Sequence, residues 1–196
     1  RSKVAGILSL FKSINFKNAE HIASIENDFG INKEKLLEVC IKLNNHEIAD
    51  EYNEIYKISD QILGEYLFHK VFIEKKYLPF STLLDMAYER KSISLIYTLT
   101  PIINNYGFDK VKNKILADIK EKWNAIDCEV NALKFLKDFW FYIPTETLKY
   151  LKTYIDRLLD GPYKQYKFDI YKSNHIASYD DQVIDILISF KKITEK

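Results

Sequence analysis

Glycine is scarce in this chain, and that scarcity excludes the common phosphate-binding loops. The 196 residues include 5 glycines, which are far apart at positions 6, 30, 64, 107 and 161. The GxxxxGK[ST] loop of nucleotide hydrolases and the GxGxxG turn of dinucleotide-binding domains both need clustered glycines. Neither pattern can be written anywhere in this sequence. We therefore expect the chain itself to be non-catalytic, with no nucleotide cofactor of its own.

Arginine is also rare, and neither sign of charge dominates. Arg1, Arg90 and Arg157 are the only arginines among 29 basic residues, and the formal net charge is +1. Arginine forms the bidentate forks that grip phosphate, and a strong positive field is what draws proteins to nucleic acids or anionic membranes. The composition favours neither kind of partner.

Cysteine and histidine are too few and too dispersed for a metal site. The 4 histidines show no HExxH or Cys/His ligand spacing, so we expect no metal. Cys40 and Cys128 both fall in predicted helices, and we interpret them as reduced core thiols of a cytoplasmic protein. No apolar run approaches the roughly 18 residues of a membrane-spanning helix, and no secretory leader is visible. We therefore expect no membrane segment.

The first region, residues 1–76, has the pattern of three helices followed by a short hairpin. Apolar spacing predicts a helix near the start, a second helix over about 18–28 and a third one after the Phe29-Gly30-Ile31-Asn32 turn. Gly30 suits a left-handed helix end, and Asn32 can cap the third helix. Residues 14–16 are expected to be a connection, and residues 47–50 and 54–58 the two strands of the hairpin. Three helices and such a wing make a winged helix.

The second region, residues 77–196, has helical apolar spacing throughout. Pro79 and Pro101 are expected at helix starts or boundaries, and Tyr106-Gly107-Phe108 at a break. Antiparallel helices joined by short loops predict an all-helical arm or a small superhelix. The fold class is therefore mainly α, with a winged-helix domain at 1–76 and a helical arm domain at 77–196.

The junction of hairpin and helix carries a resemblance to a known family. Residues 54–84 read EIYKISDQILGEYLFHKVFIEKKYLPFSTLL, and Lys57-Ile58-Ser59-Asp60 joins the alternating strand to a long apolar helix. This segment resembles the winged-helix part of STAND NTPases, the signalling ATPases that include plant disease-resistance proteins, apoptosome proteins and bacterial antiviral sensors. The bacterial type is the most similar, because its continuation reads like the segments Gln61-Ile62-Leu63, Tyr66-Leu67-Phe68 and Lys70-Val71-Phe72.

The resemblance implies that the chain is a regulatory part of a larger switch. Ser59 and Asp60 occupy the place of the family's Met-His-Asp motif, whose histidine contacts bound ADP and whose aspartate holds a hinge. It implies ATP or ADP in the parent protein, a neighbouring nucleotide-binding domain of the same chain as partner, and homo-oligomerisation on activation. Asp60 matches its motif position, whereas Ser59 replaces the histidine. The residues themselves leave a second interpretation open, a serine cap with a carboxylate at the helix dipole.

Two aromatic clusters are further interaction candidates. Trp140, Phe141 and Tyr142 end a stretch with more large rings than one helix face needs. A packed core explains such a cluster, but an exposed part of it could hold a neighbouring domain or subunit. Residues 163–180 interleave tyrosines with lysines and aspartates, which favours a docking loop over a platform for single-stranded nucleic acid.

A winged-helix DNA-binding regulator with a helical partner-binding domain is the alternative function. The third helix would then read the major groove. However, residues 1–76 contain 11 basic and 12 acidic side chains, and the third helix has no arginine. Affinity for duplex DNA comes largely from counterion release on neutralising phosphates. The sequence therefore predicts that DNA is not the partner.

Overall fold

The computed structural model describes residues 1–90, 93–159 and 182–194, and these are mainly helical with one small antiparallel sheet. The predicted docking loop at 163–180 lies outside them. The chain divides into two compact units, Arg1–Asp118 and Ile119–Lys196. The boundary after residue 76 that the sequence suggested stays a prediction. The elements of the first unit are α1 (Ser2–Phe11), β1 (Ser13–Asn15), α2 (Ala19–Phe29), α3 (Lys33–Asn45), β2 (Ala49–Tyr52), β3 (Ile55–Ile58), α4 (Gln61–Phe68), a π-helix (His69–Glu74), α5 (Phe80–Tyr88), α6 (Leu95–Tyr106) and the start of α7 (Phe108–Ala125).

The three strands form a sheet in the order β1-β3-β2. In β1, Ile14 is fully buried and lies opposite Tyr56 of β3. Our expectation that residues 14–16 form a simple connection was wrong for this segment, because its backbone pairs with a strand about 40 residues away. A strand of three residues is too short to produce a recognisable alternation.

The β2–β3 hairpin is displaced from its predicted bounds. Asn53 and Glu54 both have positive φ, of 55° and 64°, so they form the tight turn that the right-handed twist of a hairpin prefers. The first strand consequently lies two residues later than the predicted 47–50, and the second begins one residue later than the predicted 54–58 but ends at Ile58 as predicted. Glu47 itself has a φ of 58° and cannot belong to a strand.

The helix ends of α2 and α3 follow the local sequence. The Asn18 side chain accepts a hydrogen bond from the His21 amide, and Asn32 accepts one from the Lys35 amide, each at 3.0 Å. Gly30 ends α2 in the left-handed conformation, with a φ of 64°. The predicted turn between these helices is confirmed.

The crossing of α1 with the helical segment after the sheet forms the core of the first unit. Residues 4–10 of α1 are all buried, and α1 contacts α3, α4, β1, β3 and the π-helix. At the crossing, a methyl group on Gly6 would lie 2.6 Å from the Cβ of Val71. The absence of a side chain at Gly6 is therefore what lets the two helices approach.

The long apolar helix expected from Asp60 to about Lys75 is two elements. Its second half changes to a π-helix, which places Val71, Phe72 and Ile73 in the core. Ile62 is 72% exposed and Tyr66 is also exposed, so α4 buries one face only.

Helices α5 to α7 complete the first unit. Pro79 precedes α5 as predicted, and Gly107 separates α6 from α7. Pro101 lies inside α6, not at a boundary, so the prediction for this residue was wrong. An ion pair between Arg90 and Asp28, whose carboxylate side chain is 3% exposed, joins the end of α5 to the end of α2.

The second unit contains α8 (Glu129–Phe139), α9 (Pro144–Leu159) and α10 (Gln182–Thr194). Its buried stripe on α8 consists of Ala132, Phe135, Leu136 and Phe139. Val130, near the start of the same helix, is 69% exposed. Cys128 is exposed at the start of α8, whereas Cys40 is buried in α3, so the prediction of two core thiols holds for Cys40 alone. Burial raises the pKa of the Cys40 thiol to about 12.

We expect Gly6→Ala to destabilise the protein by about 1–3 kcal/mol, the usual cost of overpacking a close helix contact. Gly64→Ala is the matched control, because the nearest side-chain atom at Gly64, Ile58 Cγ2, lies 3.8 Å from the added methyl. This second change should stabilise α4 by about 0.5–1 kcal/mol, since glycine is unfavourable inside a helix. Urea unfolding of both variants gives the comparison. Equal effects of the two changes would contradict the close crossing at Gly6.

Candidate functional site

Asp60 and Ser59 occupy different positions from those that the sequence suggested. Asp60 is the N-cap of α4, and its Oδ1 accepts a hydrogen bond of 2.8 Å from the Leu63 amide. Ser59 was expected to be this cap, and that detail was wrong. The reason is register: Ser59 still belongs to the end of the sheet, where its amide donates to the Ile48 carbonyl at 3.2 Å.

The Ser59 side chain is bound to the wing. Its hydroxyl donates a hydrogen bond of 3.0 Å to Asp50 of β2, and the other carboxylate oxygen of Asp50 lies 4.0 Å from the Lys57 ammonium. Ser59 is therefore connected to the wing and Asp60 to the helix. These two consecutive exposed residues form the only covalent link between the two elements.

A groove of about 460 Å³ lies next to this junction. Among the residues that line it, Lys12 and Lys57 are positive, whereas Asp60 and Glu65 are negative. Glu65 is buried on α4, and its carboxylate accepts hydrogen bonds from Gln61 at 3.0 Å and from Asn105 of α6 at 2.6 Å. The Glu65 carboxylate thus has two neutral amide partners, and the hydrogen bond from Asn105 joins α4 to α6. The mixed charge gives this groove no strong preference for a phosphate.

The aromatic candidates Trp140, Phe141 and Tyr142 have three different environments in the second unit. Trp140 is half-buried, with its ring centroid 4.6 Å from that of Phe190. Tyr142 is buried against Phe139, and burial raises the pKa of its phenol to about 12. Phe141 is 41% exposed. Packing within the unit accounts for Trp140 and Tyr142. Phe141 is the one of the three with a surface to offer a partner.

Helix α3, the candidate reader of DNA, has two of its three lysines paired within the helix. Lys35 and Lys42 both form ion pairs with Glu38, the first at 2.8 Å. Hydrogen bonds from these two ammonium groups lower the pKa of Glu38 to about 2. The carboxylate therefore stays charged throughout the neutral range and offsets part of the positive charge of the two lysines.

The structure also brings together residues that the sequence did not single out. The rings of His69 and Tyr106 stack in parallel with their centroids 3.8 Å apart, at the point where α4 becomes a π-helix. π-Helical turns are often found at functional sites. The sequence offered no signal for this pair, because a π-helical turn has no recognisable pattern and the two rings are distant along the chain. Among the described residues, no group of histidine, cysteine and carboxylate side chains could hold a metal ion.

Comparisons with known proteins give no relative. No known protein family, no curated protein and no solved structure matches this chain.

None of the described helices is both long and apolar enough to cross a membrane.

We expect Asp60→Ala to destabilise the chain by about 1 kcal/mol, the typical cost of removing an N-cap acceptor. Asp60→Asn keeps an acceptor for the Leu63 amide and should change stability much less. Ser59→Ala, which removes the exposed bond to Asp50, is the neighbouring control. Urea unfolding measures all three changes. An Asn variant as unstable as the Ala variant would show that the hydrogen bond is not what stabilises α4.

Proposed function

We propose that this chain is a non-catalytic regulatory module of a STAND-type NTPase. In this proposal, a winged-helix unit followed by a helical arm couples the nucleotide state of a neighbouring domain of the same protein to oligomerisation or sensor docking. ATP or ADP would be bound by that neighbouring domain and not by this chain. The observation that carries the proposal is the direct connection of wing and helix through Ser59 and Asp60.

The order of the elements supports the winged-helix part of the proposal. Helices α1, α2 and α3 are followed by a two-stranded wing, and β1 pairs with the inner strand β3. In this arrangement the wing projects from a helical core, as a winged helix requires. Two residues, Ser59 and Asp60, lie between the end of β3 and the start of α4.

The two hydrogen bonds at the junction give the hinge a physical basis. A partner that pulls on the wing would act on Ser59 through Asp50, and Asp60 would transmit the change to the first turn of α4. Both residues are exposed, so a neighbouring domain can reach them. A domain that binds the two arrangements of this junction with different affinity would shift their populations.

DNA binding is the second candidate, and the charges of α3 and the wing argue against it. The pairing of Lys35 and Lys42 with Glu38 leaves few free cations to release counterions. At the wing, Tyr52 is 82% exposed, but Glu51 and Glu54 lie beside it and would repel phosphates. A protein partner fits these surfaces better than a duplex.

The proposal implies a longer protein, and it is tested in that protein. Its coding sequence should contain a GxxxxGK[ST] loop upstream of Arg1. In that protein, Asp60→Ala should change basal ATP turnover or the mass measured by light scattering with ADP and with ATP, because packing between domains would be altered. Asp60→Asn, which keeps the cap, is the control for simple loss of stability.

Three results would overturn this proposal. One is a gene without a phosphate loop. Another is micromolar binding of ATP or ADP by the 196-residue chain alone in a calorimetric titration. The third is a longer protein in which turnover and oligomeric state are unaffected by Asp60→Ala.

A DNA-binding assay with two matched variants separates the second candidate. Glu38→Gln releases Lys35 and Lys42, whereas Glu34→Gln removes the same charge from the same helix without releasing a lysine, because Glu34 has no ion pair among the described residues. We expect the unmodified chain and both variants to leave random duplex DNA unshifted at physiological salt. Submicromolar, salt-sensitive binding by the unmodified chain, or by Glu38→Gln alone, would favour the DNA-binding function.

A further inference from the structure

A second cavity lies between the π-helix and α7, within the first unit. Its volume is about 340 Å³, and it is lined by His69, Glu74, Tyr106, Lys110, Asn113 and Lys114. Ligand pockets begin at roughly this size, around 300 Å³. The cavity does not include Ser59 or Asp60, and its description does not depend on the proposed function.

One wall of this cavity contains an unsatisfied polar atom. The Nδ1 atom of His69 is shielded from solvent and has no hydrogen-bond partner among the described residues. Buried polar atoms nearly always have a partner, so an exception needs an explanation. Burial is the largest effect on the pKa of His69, and it lowers this pKa. The Glu74 charge raises the pKa by less, and the Lys114 charge lowers it further. The imidazole is therefore neutral at pH 7. One of its ring nitrogens can donate a hydrogen bond and the other can accept one.

Helix α7 contributes two lysines to the cavity wall, and neither has a partner among the described residues. Lys110, Asn113 and Lys114 follow the i, i+3, i+4 spacing, so they share one face of α7. Neither lysine has an ion pair or hydrogen bond within the part of the chain that the structure describes. Other lysines nearby are paired: Lys76 binds Asp118 at 2.8 Å and Lys75 binds Glu74 at 3.2 Å. The Lys75 ammonium therefore offsets the charge of Glu74, which is the one carboxylate in the cavity wall.

We propose that this cavity binds the phosphate group of a small phosphate monoester. Two unpaired ammonium groups one helical turn apart match a dianion better than a monoanion, and the Asn113 amide adds a neutral donor between them. The volume exceeds what an inorganic ion fills, so an organic portion would lie against the stacked rings of His69 and Tyr106.

Ribose 5-phosphate is a suitable probe, and ribose is its uncharged counterpart. Titration of each into the chain is followed through the imidazole resonances of His69, which are identified by their loss in His69→Phe. Phenylalanine keeps a ring for stacking on Tyr106 and removes the nitrogens. We expect saturable shifts with ribose 5-phosphate and none with ribose. Inorganic phosphate should produce weaker saturable shifts if the organic portion contributes to binding.

Matched charge variants show whether the site or the overall charge is responsible. Lys110→Gln combined with Lys114→Gln should weaken binding at least about tenfold, as the loss of two charge-assisted contacts implies. Lys149→Gln combined with Lys152→Gln makes the same change in net charge on α9, which contributes no residue to the cavity wall, and should leave binding unchanged. Circular dichroism checks that both double variants are folded.

Several outcomes would overturn the proposal. They are the absence of saturable shifts with ribose 5-phosphate, equal shifts with ribose, and equal weakening by the two double variants. Because the junction at Ser59 and Asp60 takes no part in this experiment, a negative result leaves the proposed regulatory function unaffected.

Discussion

The close crossing of α1 with the π-helix is the contact on which the first unit depends. Gly6 has no side chain, and Val71 fills the space that a methyl group at position 6 would need. Around this point α1 is buried from Val4 to Leu10, and it contacts α3, α4, β1, β3 and the π-helix. A helix surrounded in this way fixes the positions of its neighbours because interiors are packed without spare volume.

The same crossing places both candidate sites on one continuous helical segment. Asp60 begins α4, and His69 marks the change to the π-helix eight residues after α4 starts. The widened π-helical turn aligns Val71 and Phe72 with the core while His69 faces Tyr106. Glu65 connects the middle of this segment to α6 through Asn105. A displacement of the segment would therefore affect both the junction at Ser59 and Asp60 and the cavity at His69, which gives a physical route for coupling between them.

Local pairing of charges determines which surfaces of the first unit can bind anions. Along α3, Lys35 and Lys42 share one carboxylate partner, Glu38, and Lys57 of β3 has Asp50 across the strand pair. Lys110 and Lys114 lack such a partner among the described residues. With a formal net charge of +1, the protein has no general attraction to anions. Any preference for them must come from a particular arrangement of this kind.

The sequence by itself determined the elements whose signals are local. The Asn18 and Asn32 caps, the Gly30 helix end and the break at Gly107 depend on residues within about one turn of the chain, so they could be predicted. Only the tertiary structure decided the rest. Pairing of β1 with β3 joins segments about 40 residues apart, and His69 at the start of the π-helix stacks on Tyr106 of α6. The cap falls on Asp60 instead of Ser59 because the Ser59 amide donates to the Ile48 carbonyl at the other strand of the hairpin. A local pattern of residue types does not show these contacts. Folding decides which distant segment pairs with a backbone group or covers an aromatic ring.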